Sequence, residues 1–419
     1  MAPDTAQTDT VTVTVTVTVT VEDLVARAAA LGPKLAERRD KARELRCLPD
    51  ETIADLIDNG LIQACQPKRF GGPELPFGSH TDVAMELARH CGSTGWVVGI
   101  LGSHDWWLAK CHPDVQEEIW GADSKAWVAG GFAFERSEPT KADGGFRLSG
   151  EWVFGSGVRQ DGWFAIMAHV QEKDGSKTPT MMILPSTDFR VKEAWDPPGL
   201  IGTGSHNVVV DDVFVPAYRT ISFLELNKRK SIGQTINPGW TYNLPMPRVV
   251  NYSVAGPVIG MARAALDAFC ENIKSRTSYV DRARLQGFAT LQARVAESSA
   301  EIDAAKDIYD ADMRIMRDAA QNDREITQHE QYRFRRNCGY LSMLCRRATH
   351  RLAEALGAGG MKSSNLVHQF NLDVLAATGH QALSWDSNAT PYGQLMLGLD
   401  PNELPGQEKV NPALSLGHG

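Results

Sequence analysis

Three residues of types that exchange protons or hydrogen-bond a reacting group stand far apart in this chain. They are His104 in Ser-His-Asp-Trp-Trp (103–107), Ser156 in Trp-Val-Phe-Gly-Ser-Gly (152–157) and His380 in His-Gln-Ala-Leu-Ser-Trp-Asp (380–386). An imidazole with a pKa of about 6.5 can take or give a proton at neutral pH. Taken singly, each also has a plain structural reading: a capping or core histidine, a serine suited to a tight turn, a histidine on a helix surface. Trp106, Trp107, Trp240, Tyr242 and Phe132 offer flat apolar walls for an aromatic ring, and Met246 adapts to its outline, although core packing explains any one of them equally well. Other chemistries lack their motifs. Gly202-Thr-Gly-Ser-His-Asn precedes a strand-like run and Gly357-Ala-Gly-Gly joins helices, so neither is a dinucleotide fingerprint between a strand and a helix. No Gly-x-x-x-x-Gly-Lys-Ser/Thr occurs, and Gly155-Ser-Gly lies among strands rather than at a strand-to-helix elbow. His90 and His112 are isolated and no histidine pair has a carboxylate at metal spacing, so no metal site is expected.

The elements that must carry these residues fall into three blocks. The 419 residues, 42% hydrophobic and 22% charged, suffice for two or three globular domains. A Val-Thr repeat within residues 1–21 has strand propensity but no evident pairing partner and reads as a disordered low-complexity tail. Residues 22–124 are helical: Leu24, Ala28, Leu31 and Leu35 recur at helical spacing, Ile53, Leu56 and Ile57 repeat the pattern before Gly60, and Gly95–Leu101 is an apolar helical run. Residues 125–230 change to short alternating runs broken by Gly, Asp and Pro, the pattern of a small antiparallel β domain. Residues 231–400 return to four long amphipathic helices, over 254–272, 284–318, 332–356 and 366–385, and 401–419 form a tail.

Composition excludes several partners. Lys+Arg 43 against Asp+Glu 51 leaves a net charge of -8, with no basic field to hold nucleic acid. The 7 cysteines are scattered without a Cys-x-x-Cys pair, which fits a reducing cytoplasm better than a disulfide framework. No secretory signal and no uninterrupted apolar span is apparent, so a cytoplasmic protein without a membrane partner is expected.

The run Phe134-Glu-Arg-Ser-Glu-Pro-Thr, then Asp143-Gly-Gly-Phe-Arg-Leu-Ser-Gly-Glu-Trp-Val-Phe-Gly-Ser-Gly, Trp163-Phe-Ala-Ile-Met-Ala, Gly202-Thr-Gly-Ser and Val210-Asp-Asp-Val-Phe-Val-Pro resembles the acyl-CoA dehydrogenase superfamily over nearly all of residues 22–400. The segments around His104, Ser156 and His380 resemble its flavin-dependent monooxygenase branch, the oxygenase components of two-component aromatic hydroxylases. The resemblance implies a mainly α fold with a central β domain: an N-terminal helical bundle, a β-barrel-like middle and a C-terminal four-helix bundle, assembled as a homotetramer. It implies reduced FMN or FAD from a separate NAD(P)H-dependent flavin reductase, molecular oxygen as co-substrate, and hydroxylation of a small phenolic or indolic ring through a C4a-hydroperoxyflavin. By position in the motifs, Ser156 resembles the hydrogen-bond partner of flavin N5, His104 the substrate-side base, and His380 a residue of the closing helix that meets substrate or oxygen. Phe132, Ala133 and Arg276 resemble flavin contacts, the last reaching across a subunit boundary to phosphate, and Trp107, Trp240, Tyr242 and Met246 the substrate pocket.

One departure favours oxygenation over thioester oxidation. A dehydrogenase of this fold needs a Glu base in the last helices or on the first helix of the C-terminal bundle. Residues 366–402 up to Asp400 offer only Asp373, Asp386 and Asp400, and 247–270 only Asp267. The alternatives on the same fold are an amine N-oxygenase and an acyl-CoA dehydrogenase using Asp386.

Overall fold

The computed structural model describes residues 19–278 and 282–401. The tail expected over 1–21 lies outside these up to residue 18, and so does the C-terminal tail after residue 401. At the near end Thr20 and Asp23 form a reciprocal capping box, Thr20 Oγ1 accepting from the Asp23 N–H and the Asp23 carboxylate from the Thr20 N–H, which starts α1 (Val21–Leu45). Then come α2 (Asp50–Asp58), α3 (Ser79–Ala88), α4 (Gly92–Leu108) and the short α5 (Pro113–Gln116). Every residue of α4 except Ile100 is buried, as befits a helix that is apolar all round. Its glycines make the close approaches possible: a Cβ at Gly99 would lie 2.5 Å from the Ser253 carbonyl oxygen.

The middle of the chain holds β1 (Val128–Gly131), β2 (Ala133–Ala142), β3 (Gly145–Gly155), β4 (Trp163–Gln171), β5 (Lys177–Leu184), β6 (Arg190–Lys192), β7 (His206–Pro216) and β8 (Thr220–Ser222). They form two four-stranded sheets, ordered β1-β4-β5-β8 and β2-β3-β7-β6. Trp152, Phe164, Ile166, Met182, Leu184, Val208 and Val210 fill one shared core between them. The pairing is not wholly antiparallel as expected, because β1 runs parallel to β4. The β2–β3 hairpin belongs to the other sheet, so the chain leaves β1, makes that excursion and re-enters in the same direction, the crossover that parallel neighbours require. Strand β2 is mostly exposed and polar, which explains why no hydrophobic alternation marked it.

After the short α6 (Phe223–Leu226) and α7 (Met246–Val249) come α8 (Ala255–Ser275), α9 (Ala289–Gln321), α10 (Gln328–Ala355), α11 (Leu366–Thr378) and α12 (Trp385–Met396). The apolar stretch around α8 is long enough to cross a membrane, but it is 83% buried within the fold as a core helix. The helix expected over 366–385 is broken. Helix α11 stops at Thr378, and His380 adopts extended angles and accepts the Ala382 N–H on its ring, which caps a separate turn. His380 therefore sits at a junction between helices, not on the closing helix.

Two buried polar groups tie the blocks together. Lys110, just beyond α4, donates to the carbonyls of Arg229 (3.1 Å) and Tyr242 (2.8 Å) and to Oε1 of Gln234 (3.3 Å), and burial among these neutral acceptors pushes its pKa down to about 7. Asp373 of α11 accepts the Leu200 N–H at 2.7 Å and so holds the 198–205 loop of the β block against the C-terminal helices. Burial raises this carboxyl to about 6.

The Asp373 clamp makes a pH-dependent prediction. The folded pKa lies above the unfolded value, so the native state binds the extra proton between about pH 4 and 6 and stability from this group is lost as pH rises through that window. Asp373→Asn keeps an oxygen for Leu200 but cannot ionise. Its denaturant-measured stability relative to wild type is expected to improve by up to about 3 kcal/mol between pH 4 and pH 7. A difference that does not change with pH would show that Asp373 is not the buried, titrating clamp described.

Candidate active site

Helix α4 supplies one wall. Trp96, His104 and Trp107 fall within about 80° of one another around its axis, on a single face. Nδ1 of His104 lies 2.9 Å from the Val128 carbonyl oxygen on β1. A carbonyl only accepts, so Nδ1 carries the proton and Nε2 presents a lone pair, which has no partner among the described residues. Burial lowers the His104 pKa to about 4, and the ring is a neutral base at pH 7. Its edge lies against β1, since a Cβ on Gly130 would stand 2.8 Å from Cε1 and 3.3 Å from Nε2. The Trp107 ring meets His104 edge-on at 5.7 Å, and its indole N–H is buried without a partner.

The opposite wall is the turn after β3. Ser156 is 7% exposed and accepts the indole N–H of Trp96 at 3.2 Å, while its Oγ lies 2.8 Å from Oγ of Ser205. The turn is fixed on both sides: the Gly157 carbonyl accepts from the Trp127 indole (2.7 Å) and the Gly157 N–H donates to the Thr203 carbonyl (2.8 Å). Two residues earlier Phe154 holds a left-handed conformation (φ 62), costly for an aromatic residue, and leaves 60% of its surface exposed. Its ring meets Trp195 edge-on at 6.2 Å.

His380 closes the third side. Its ring meets Trp96 edge-on at 5.6 Å, so Trp96 touches both Ser156 and His380. Nδ1 of His380 accepts the Ala382 N–H at 3.2 Å, which in the neutral ring leaves the proton on Nε2. The two histidines therefore have opposite polarity, a lone pair at Nε2 of His104 and an N–H at Nε2 of His380. His380 is exposed to solvent yet surrounded by protein, as a residue lining a cleft must be, and that surrounding lowers its pKa.

The other expected site residues divide. Ala133 pairs with Val153, three residues before Ser156, and Phe132 packs edge-on against Phe223 at 6.3 Å. Tyr242 and Met246 have no accessible surface, and the Tyr242 hydroxyl is committed to the Cys65 carbonyl at 2.9 Å. Trp240 is half-buried beside them, and Trp106 points away from His104, its indole donating to the Thr241 carbonyl. Arg276 caps the far end of α8 and bonds Asn272 one turn back at 3.1 Å, with no bond to Ser156 or either histidine. Trp96, Phe154, Thr203 and Ser205 were not singled out from sequence. Trp96 stands eight residues before His104, which is same-face spacing on a helix and a signal that could have found it. Among the described residues no group of three or more His, Cys, Asp or Glu is placed to hold a metal ion.

The residues fit a planar heteroaromatic cofactor. Exposed Phe154, edge-on to half-buried Trp195, stands two residues before a hydroxyl held rigid between two glycines, while the buried His104 keeps an open acceptor. Comparison with known proteins agrees. Residues 20–110 match the acyl-CoA dehydrogenase N-terminal domain family and residues 252–385 the acyl-CoA dehydrogenase C-terminal domain family. The chain is 31% identical over 377 residues to the pigment production hydroxylase of a Rhodococcus species, covering 90% of this chain and 97% of the relative. It is 30% identical over 388 residues to the oxygenase component of an FADH2-dependent resorcinol hydroxylase of a Rhizobium species, covering 90% and 95%. The structure of XiaF from a Streptomyces species, in complex with FADH2 and glycerol, superposes with a TM-score of 0.84 at 26% identity, covering 92% and 97%.

The tight seat of His104 is testable by itself. Gly130→Ala would drive a methyl to 2.8 Å from both the His104 ring and the Ala165 carbonyl oxygen, and the backbone atom cannot step aside. Overpacking of this kind costs about 1–3 kcal/mol, read as a lowered denaturant midpoint. An unchanged midpoint would mean that the ring does not rest on Gly130.

Proposed function

The chain belongs to the acyl-CoA dehydrogenase superfamily, among its flavin-dependent monooxygenase oxygenase components, and from that premise we propose that it hydroxylates a small phenolic or indolic ring with reduced flavin delivered by a separate reductase. The observations that carry this reading are the open Nε2 lone pair of neutral His104 on α4 and, from the same face of that helix, Trp96 joining Ser156 to His380, whose Nε2 carries the proton. Reduced flavin, when bound, would supply the two electrons that activate dioxygen, one of whose oxygen atoms goes to the ring while the other leaves as water. Ser156 would hold the flavin at N5, Phe154 and Trp195 would flank its ring, and Phe132 and Ala133 would border it from the β rim. Arg276, whose side chain bonds only Asn272 among the described residues, would serve flavin phosphate in a neighbouring subunit of a homotetramer.

His104 accepts the O–H or N–H of the substrate at Nε2. With a phenol pKa of about 10 and the imidazole at about 4, complete proton transfer in the resting complex would be uphill by about 8 kcal/mol. The substrate thus waits as a hydrogen-bonded neutral ring, and His104 takes its proton only as attack on the ring makes that proton acidic. The N–H of His380 is polarised to donate, to the substrate or to the oxygen being delivered. Trp107 beside His104 forms the apolar back of the site, and Trp240, Tyr242 and Met246 support it from the core. Two of the four carboxylates do not suit thioester oxidation: Asp373 is committed to the Leu200 N–H, and Asp267 is ion-paired with Arg89 on the surface.

The test supplies the full-length protein with chemically reduced FMN or FAD, oxygen, and separate panels of phenols, indoles, amines and acyl-CoAs. A hydroxylated phenol or indole is expected. His104→Ala should slow its formation by about 100- to 10,000-fold while oxygen consumption continues and appears as hydrogen peroxide. Hydroxylation at the wild-type rate in that variant would remove His104 from the chemistry, and a bound flavin bleached by acyl-CoA would replace the reading with a dehydrogenase.

A further inference from the structure

Behind Ser156 runs a line of buried hydroxyls that the proposed chemistry has not used. Ser156 Oγ lies 2.8 Å from Ser205 Oγ, Ser205 Oγ 2.7 Å from Thr203 Oγ1, and Thr203 Oγ1 2.9 Å from the Leu200 carbonyl oxygen. Ser205 and Thr203 are 3% and 1% exposed, so water has little access with which to reorient them. Each hydroxyl has one hydrogen and two lone pairs, whereas a carbonyl only accepts. The direction of the line therefore follows from its end. Thr203 must donate to Leu200, since the reverse would set two oxygen lone pairs against each other at 2.9 Å. Ser205 must then donate to Thr203, and Ser156 to Ser205. At the near end the Trp96 indole, which is only a donor, fills one lone pair of Ser156. Ser156 is left with one open lone pair and no free hydrogen.

The end of the line is held in place. Leu200 occupies the left-handed region (φ 53), where a branched side chain is strained, and the Asp373 carboxylate on its N–H keeps it there. The Trp195 indole also donates to the Leu200 carbonyl at 3.0 Å.

We propose that Thr203 and Ser205 are positioning residues whose one-way hydrogen-bond line fixes Ser156 as an acceptor, and that this selects reduced flavin, which carries a hydrogen on N5, over oxidised flavin, which presents a lone pair there. The proposal rests on the reading that Ser156 faces flavin N5. Oxidised flavin would set two acceptors against each other in a dry site, and a buried unsatisfied pair of that kind corresponds to a preference of about 10- to 100-fold. Diffusible delivery gives the preference a purpose. Reduced flavin is captured, and the oxidised product is released after turnover.

The experiment measures dissociation constants of the full-length protein for oxidised FMN and FAD, and for the same flavins reduced with dithionite under anaerobic conditions. Wild type is expected to prefer the reduced form. Thr203→Val preserves shape but removes the hydroxyl, which lets Ser205 and Ser156 turn round and Ser156 donate to oxidised N5. The preference should fall about tenfold, mainly through tighter oxidised binding, with the bound flavin's potential moving down by about 30 mV. Ser205→Ala, cutting the line one link nearer, should do the same, and Thr203→Ser should keep the wild-type ratio. A merely structural role would weaken both forms together and leave the ratio constant, which would overturn the proposal. Ser156→Ala separates the two levels. If it shifts the ratio and Thr203→Val does not, the hydroxyl line alone is rejected. If Ser156→Ala itself leaves the ratio unchanged, the placement of Ser156 at N5 is rejected and the selection mechanism with it.

Discussion

The rest of the site depends on a helix that has no solvent face. Because α4 is enclosed along nearly all of its length, every polar group it carries must find a partner inside the protein or stand unpaired at a cost of about 1–3 kcal/mol. Those partners come from three different parts of the chain: Val128 on β1 for His104, Thr241 in the segment before α7 for Trp106, and Ser156 in the β3 turn for Trp96. Satisfying the helix is thus the same act as assembling the cleft. The tautomer of His104 is a by-product of that constraint, since the group offered to Nδ1 among the described residues is a carbonyl.

The β block answers from its side with backbone at His104 and with a hydroxyl at Trp96. Strand β1 gives the Val128 carbonyl and then a glycine where the histidine edge passes, and its parallel neighbour β4 gives the Ala165 carbonyl that closes the space behind Gly130. The Ser156 turn is braced by Trp127, just before β1, and by the loop before β7, and that loop is gripped in turn by Asp373 of α11. A displacement in any one of the three blocks would be felt at Ser156, because each contributes one brace to a turn that has little slack.

Much of this was legible in the sequence, and the parts that were not have physical reasons. Periodicity found the helical and β blocks, because a stripe on a charged back and an alternation broken by turn residues are consequences of burial itself. Strand β2 escaped since neither of its faces is well buried. The break at His380 escaped because the apolar pattern of 366–385 continues across it, and only a ring nitrogen capping Ala382 interrupts the backbone. His104, Ser156 and His380 could be nominated through resemblance, yet their polarities could not, since a tautomer is decided by which atom lies opposite. Gly202-Thr-Gly-Ser drew attention for its glycines, while in the structure the two hydroxyls between and after them, Thr203 and Ser205, are hydrogen-bonded in line with Ser156.

The electrostatics of the cleft are as selective as its shape. Among the described residues, none of the hydrogen-bond partners of His104, Ser156, Ser205 or His380 is an ionised side chain, and burial keeps the His104 imidazole neutral. With no fixed charge to polarise the site in advance, direction comes only from which hydrogen bonds each group has already committed. Such bonds are strong where water is scarce, and they cannot be reversed singly when they are linked in line. That suits chemistry in which an oxygen atom and a proton must each move one way at one moment, with a neutral ring as acceptor of the first and donor of the second. A charged base would hold the proton before it was needed and would draw water into the cleft. A buried imidazole with a lowered pKa holds it only when the reacting ring makes it acidic, which couples deprotonation to attack without a separate switch.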